Sequence, residues 1–301
     1  MFNGLHYNSI ATYLKERFGC RVIKLPLDGG FTCPNRDGSK GFGGCTFCSE
    51  SGSGDFASRS IEQQIQDLPG KWSEDTSDHK FIAYFQSFTG TYAKEERLRT
   101  LWDSALSQPG VAGLAIATRP DCLGPGVLDL LEEYSKKTFM WVELGLQTSN
   151  EKTAVSFNRC WENADFEDAA YNLSARGIKH VTHLILGLPG EDKQQMISSA
   201  RYAAGFRPFG VKIHMLHLMK GTAMGSEYLK APFPLLSMDE YVDTVCDIIE
   251  ILPSDITIHR LTGDAPKSAL IAPEWTRNKH LVLNSIQQEF SRRRTYQGFR
   301  A

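Results

Sequence analysis

Along most of the chain, short apolar runs alternate with stretches in which apolar residues recur every three to four positions. The runs RVIKLPLD (Arg21 to Asp28), FIAYFQ (Phe81 to Gln86), GLAIATR (Gly113 to Arg119), MWVELGLQT (Met140 to Thr148), VTHLILGLP (Val181 to Pro189), GVKIHMLHL (Gly210 to Leu218) and DITIHRLTG (Asp255 to Gly263) read as strands. Several are apolar along their whole length, as a parallel strand covered on both faces should be. Helical periodicity falls between them, at Lys94 to Leu106, Gly126 to Lys136, Asp165 to Arg176, Asp192 to Ala204 and Met238 to Leu252, with a last stretch near Asn278 to Arg293. Six strand–helix units followed by a further strand and helix predict an α/β chain, a partial (β/α)6 barrel with an extra C-terminal strand and helix. A doubly wound open sheet satisfies the same alternation, because periodicity does not fix strand order. No repeat, low-complexity tract or Pro/Ser-rich linker interrupts the pattern, so one domain over 1–301 is expected, with a core at 20–220 and an extension at 221–301.

The polar residues at the ends of these strands sharpen the picture. Gln86 and Ser87, Arg119, Gln147, His217 and Arg260 all fall at or near C-terminal strand ends, where a β/α barrel assembles its site. Singly each is an ordinary loop residue; together they mark a ligand-binding mouth. Arg119, Gln147, His217 and Arg260 are the candidate substrate contacts.

Seven cysteines bring in the chemistry. Cys33, Cys45 and Cys48 share a Gly-rich loop from Gly29 to Gly54, with spacings of eleven and two residues; Cys20, Cys122, Cys160 and Cys246 are scattered. Three thiolates can ligate three irons of a [4Fe-4S] cluster and leave the fourth iron open. Zinc would want a fourth Cys or His nearby, and the next histidine after Cys48 is His79. Three inert thiols are the remaining alternative. Glycines at 38, 41, 43 and 44 suit a backbone that wraps a cluster and donates N–H groups to it. Cys122 and Cys160 follow the third and fourth strands and could face the mouth, though small buried thiols commonly serve only as packing.

The ending Cys45-Thr46-Phe47-Cys48, after the first strand of a β/α chain, resembles the radical S-adenosylmethionine (radical SAM) superfamily. The resemblance runs on through Ile116 to Asp121, Val142 to Gln147, Asn158-Arg159, His183 to Gly190, and Val211 to His214 with Lys220 to Thr222, which look like successive motifs of the branch containing the Elongator catalytic subunit and coproporphyrinogen dehydrogenase. It implies a TIM-type partial barrel and a [4Fe-4S] cluster held by Cys33, Cys45 and Cys48. SAM would be bound on the open iron and cleaved to a 5′-deoxyadenosyl radical. By the same resemblance Phe47 would pack by the adenine, Glu143 and Arg159 would hold the ribose or the methionyl carboxylate, and Leu186-Gly187 would pass beside the adenine. Gln86 and Ser87 stand where the family has Gly-Gly-Glu and are the candidates for the methionyl amino group. The first spacing is usually three, so eleven is a departure that concerns the path of the loop.

Leu25 to Asn35 and Ile258 to Asp264 are similar to segments of small single-domain bacterial radical SAM proteins of the MnmL type. That group implies action on tRNA wobble uridine, carrying a 5-carboxymethylaminomethyl group toward 5-aminomethyl, with an electron donor such as flavodoxin or ferredoxin. The charge balance bears on such a partner. The net −2 hides six Lys/Arg against one Glu from Arg277 to Ala301, which leaves −7 on the first 276 residues. A basic tail interleaved with aromatics, Arg292 to Arg300, suits phosphate contacts and base stacking, and a helix over Asn278 to Arg293 could carry it to the mouth. The alternatives are a radical SAM enzyme for a small molecule and a non-catalytic iron–sulfur or zinc module. No apolar run reaches membrane-span length and the N-terminus lacks a secretory pattern, so a cytoplasmic protein with no membrane partner is expected.

Overall fold

Seven strands lie side by side, all parallel, in a sheet whose order follows the chain. They are β1 (Arg21–Leu27), β2 (His79–Phe85), β3 (Val111–Thr118), β4 (Phe139–Gln147), β5 (Lys179–Leu186), β6 (Gly210–Met215) and β8 (Thr257–Arg260). β7 (Leu218–Met219) and β9 (Leu270–Ala272) form a separate antiparallel pair. The computed structural model describes residues 2, 4–49, 60–67 and 78–301; positions 50–54 of the predicted cysteine loop lie outside these. Because strand order never reverses, the doubly wound alternative is excluded and the partial (β/α)6 TIM-type barrel with an added strand and helix is what forms. β1 and β8 remain as edges, and Pro26 sits in β1, an edge position of the kind where sheets tolerate proline.

The convex face packs against α3 (Glu95–Leu106), α4 (Pro125–Lys137), α6 (Asn163–Ala175), α7 (Lys193–Gly205) and α9 (Met238–Ile251) in one apolar core that includes Phe81, Trp102, Val142, Phe166 and Ile248. The concave face holds a second cluster near the strand N-termini. There α1 (Ile10–Phe18) buries Ile10 and Leu14 against Ile82, Phe139, Trp141 and Val181. Its start is fixed by Ser9, whose hydroxyl accepts from the Thr12 N–H, and its end by Gly19 in the left-handed region. Asn8 accepts from the Ile258 N–H at 2.7 Å, so the segment pairs with edge strand β8 while α1 also packs on edge strand β1. This helix, absent from the sequence reading, floors the barrel. Short helices α2 (Ile61–Gln66), α5 (Glu151–Ser156) and α8 (Ala223–Lys230) complete the frame.

The basic tail does not reach the mouth, and the physical reason is the length of α10 (Lys279–Arg293). Lys279 pairs with Asp264 beyond the C-terminal end of β8, and a helix of this length spans roughly 22 Å, which returns the chain to the opposite end of the strands. There the Gln297 amide donates to the carbonyls of Pro253 and Ile256, both at 2.7 Å, and its N–H donates to His6. Arg293 pairs with Asp247, Glu250 and Glu289, and Arg300 with Asp247. The tail's charges are thus largely spent on the acidic face of α9, which corrects the expectation of a tail poised over the site.

His180 on β5 is buried, its Nε2 has no partner, and burial pushes the imidazole down to about 4. The folded state therefore resists a proton that the unfolded chain takes near 6.5, so its contribution is present above that pH and is lost as pH falls toward 4. Thermal unfolding of H180Q followed from pH 7 to 4 should show a shallower acid fall in Tm than the parent chain.

Candidate active site

The loop after β1 solves the eleven-residue spacing by folding onto itself. The Pro34 carbonyl accepts from the N–H groups of Lys40 and Gly41, and the Asn35 carbonyl accepts from Gly44, which draws Cys45 back beside Cys33. Gly38, Gly43 and Gly44 have φ of 88°, 78° and 75°, a backbone region that side chains rarely adopt. A Cβ on Gly41 would lie 2.3 Å from Asn35 Oδ1 and 2.9 Å from Cys160 Sγ, so the close approach also requires glycine. The N–H groups of Gly41 and Gly44 go to the loop's own carbonyls and that of Gly38 to Gly41, which corrects for these three the expectation that the loop glycines donate to a cluster.

The fold clamps this loop from outside. Asn158 donates to the carbonyls of Phe42 and Gly44, at 3.1 and 2.9 Å, and the Thr46 N–H donates to Phe157. Phe47 packs on Phe157 at 5.2 Å between ring centroids, within an apolar patch that includes Leu188, Leu216 and Met224. The three thiols share one neighbourhood. Burial, then Cys48 and Cys33, push the Cys45 thiol up to about 12, and Asn35 Nδ2 lies 3.9 Å from its sulfur. Mutually repelling sulfurs in a desolvated pocket are the donor set that a cationic iron–sulfur core satisfies. Among the described residues, no three His, Cys, Asp or Glu side chains gather round one point as a single metal ion requires; a cubane, which takes its thiolates at different irons, does not require it.

Arg119, expected at the substrate, instead belongs to this loop. Its guanidinium lies 3.7 Å from Cys33 Sγ, forms a paired contact with Asp121 at 2.8 and 2.9 Å, and Asp121 also takes Lys40 at 2.9 Å. Cys122, beside Asp121, is held neutral by burial, with its thiol pushed up to about 12.

Gln86, Ser87, Gln147, Leu186, Gly187, His217 and Arg260 do share the mouth end of the sheet. Ser87 is buried directly after β2, and Gly187 turns at φ 85° with its N–H 3.2 Å from the Met196 sulfur. Gln147 adopts φ 64°, and its amide, with nitrogen and oxygen placed to suit their neighbours, donates back to Gly145 and Leu146. His217 stands against Gly263 with Nε2 unpartnered, and burial pushes it down to about 4. Arg260 pairs with Asp264 at 3.2 Å.

Glu143 and Arg159 are placed otherwise than expected. Glu143 lies four residues below the end of β4, about 13 Å down the strand, and is fully buried. Its Oε2 accepts from Lys212 at 2.8 Å, Tyr84 at 2.7 Å and His183 at 2.6 Å, and its Oε1 from Trp141 at 2.9 Å. Burial alone would raise this carboxyl, but Lys212 and His183 hold it well below the usual range. Burial pushes Lys212 down to about 8 and His183 to about 4. Arg159 spends its donors on the carbonyls of Leu146, Thr148 and Trp161 and on Glu151 and Asn163, so it locks the α5 turn rather than facing a ligand. All five Arg159 donors are taken, and Glu143 already accepts from four side chains. The sequence reading missed Lys212, Lys24 and Tyr84, although alternation places each on the inward face of its strand.

Two family models cover this architecture: residues 33–203 match the model described as Radical SAM superfamily, and residues 208–292 match the Radical_SAM C-terminal domain. The chain belongs to the radical SAM superfamily. It is accordingly a radical SAM enzyme, of a kind that uses a [4Fe-4S] cluster and SAM. It is 45% identical over 295 residues to protein YtqA of Bacillus subtilis (strain 168), across 97% of this chain and 92% of that one. It is 24% identical to a tRNA uridine(34) acetyltransferase of Dehalococcoides mccartyi (strain CBDB1), over 57% of this chain and 37% of that one. The fold matches archaeal Methanocaldococcus infernus Elp3 with an N-terminal deletion, at TM-score 0.63 and 17% identity, covering 89% of this chain and 63% of that one. Among the described residues no helix is long and apolar enough to cross a membrane.

The Glu143–Lys212 pair yields a test of the buried network. K212M leaves a buried carboxylate uncompensated and should cost about 3–5 kcal/mol in urea unfolding, whereas the double variant K212M/E143Q should recover most of that loss.

Proposed function

We propose that Cys33, Cys45 and Cys48 hold the [4Fe-4S] cluster at the barrel mouth and that the enzyme acts on the C5 side chain of tRNA wobble uridine, from carboxymethylaminomethyl toward aminomethyl. The observation that carries the cluster assignment is the self-closed loop, which brings three thiols together beside Arg119. When bound, the cluster supplies the electron for reductive cleavage of SAM. The remaining work belongs to the chain. Arg119 sets a positive charge against Cys33, Phe47 and Phe157 make an apolar wall, and the backbone at Leu186 and Gly187 together with Gln86 and Ser87 frames the mouth. Cys122 and Cys160 adjoin the loop, yet neither stands in the close-set pair that Cys45 and Cys48 make.

The tRNA assignment is supported by likeness to a protein named for acetylating uridine 34. An electron donor of the flavodoxin or ferredoxin type is part of the proposal, as is a cytoplasmic location.

Two outcomes are expected. After anaerobic reconstitution, C33S, C45S and C48S should each fall well below the roughly four irons per chain of the parent, while C122S and C160S keep them. In tRNA nucleosides from a strain lacking the gene, mass spectrometry should show carboxymethylaminomethyluridine accumulating and aminomethyluridine depleted; unchanged wobble uridines would move the substrate to a small molecule.

A further inference from the structure

Below the mouth, the side chains on the concave face of the sheet, its lumen side, carry charges that do not balance. Lys24, Lys212 and Arg260 contribute three cations, whereas among the described residues Glu143 is the carboxylate that faces them from within. Lys212 is satisfied by Glu143 at 2.8 Å and Tyr84 at 2.7 Å. Arg260 shares Asp264 with Lys279 at the rim. Lys24 differs. Among the described residues it makes no hydrogen bond or ion pair, and its ammonium rests 5.4 Å from the Tyr84 ring centroid. Burial pushes it below its ordinary range, and although Glu143 draws it up, Arg260 opposes. His183, His214 and His259 are all pushed down, first by burial, and bring no negative charge.

The residues around Lys24 restrict what could supply the missing charge. The lumen floor is closed by Ile10, Leu14, Phe139 and Trp141, while His183 keeps 18% and Arg260 29% of their side-chain surface exposed, so entry is from the mouth. Lys24 lies three residues below the end of β1, roughly 10 Å down the strand, a depth that the end of a substituent can reach from the mouth. One unpaired ammonium matches a singly charged group, and an apolar floor under it disfavours a dianion such as phosphate.

We infer that the lumen is a receiving site for a carboxylate at the end of the substrate's side chain, with Lys24 as the cation that pairs with it and His183 and His214 lining the approach. The wobble-uridine reading enters only in naming that carboxylate as the one on the carboxymethylaminomethyl group. Lys24 is then a specificity residue: it admits the carboxylated side chain and releases the product amine, which carries the same sign as the lysine. A half-buried ammonium with no ion-pair partner is costly in the free enzyme, and the substrate relieves that cost.

Calorimetric titration of the reconstituted holoenzyme tests this with two probes, N-methylglycine and 5-carboxymethylaminomethyluridine, each against its carboxamide. The expected result is binding at least tenfold tighter for the carboxylates, a preference erased in K24M and retained in K24R. K24M should also raise Tm, because an uncompensated charge is replaced by an apolar chain, whereas a merely structural lysine would lower it. Equal binding of carboxylate and amide by the parent enzyme, or a preference that survives K24M, would overturn the assignment. If N-methylglycine shows the Lys24-dependent preference while the nucleoside binds in neither form, the carboxylate site stands and the wobble-uridine reading falls.

Discussion

The site depends on two carbonyl groups. Pro34 and Asn35 accept three N–H groups from the far limb of their own loop, and this turns an eleven-residue separation of Cys33 from Cys45 into a local contact. Each such bond is worth only about 1 kcal/mol net, so the loop also needs the outside clamps from Asn158 and Phe157. Those clamps are in turn placed by Arg159, buried and fully donated to the turn that follows β4. The thiol loop after one strand is thus held in shape by the loop after another, which is possible because a parallel sheet delivers all its strand ends to one side.

Much of this was legible in the sequence. Apolar runs gave the seven strands of the main sheet to within a few residues, and the polar residues that close them do gather at one end. Helix α1 was not anticipated, although Ser9 before it, Gly19 after it and Ile10, Leu14 and Phe18 at four-residue spacing are an ordinary capped amphipathic signal. Strand order could not be read from periodicity, because each unit looks alike whether the sheet winds once or reverses. Glu143 and Arg159 illustrate a different limit: a motif position tells which strand a residue occupies, not which partners exhaust it. Four donors converge on Glu143, and three of them come from strands distant in sequence. The tail was misread for a similar reason. Its charge was plain, but the acidic residues of α9 that neutralise it lie some forty to fifty positions earlier.

The molecule therefore separates its polar chemistry into two levels. At the mouth, sulfur and arginine face a place where a cationic cluster fits. Deeper, a carboxylate anchored by Lys212, Tyr84, His183 and Trp141 fixes the register of β2, β4, β5 and β6 around a lumen, and the price is a buried charge network that must stay complete. Among the described residues Lys24 is the cation of this face that makes no ion pair, resting instead over the Tyr84 ring.

The most direct test of the three-thiol assignment is electron paramagnetic resonance of the dithionite-reduced, reconstituted protein with and without SAM. A [4Fe-4S]+ signal that shifts on adding SAM is predicted, since three cysteines leave one iron open to a new ligand. A signal indifferent to SAM, or no cluster at all in a protein that instead retains one zinc, would contradict it.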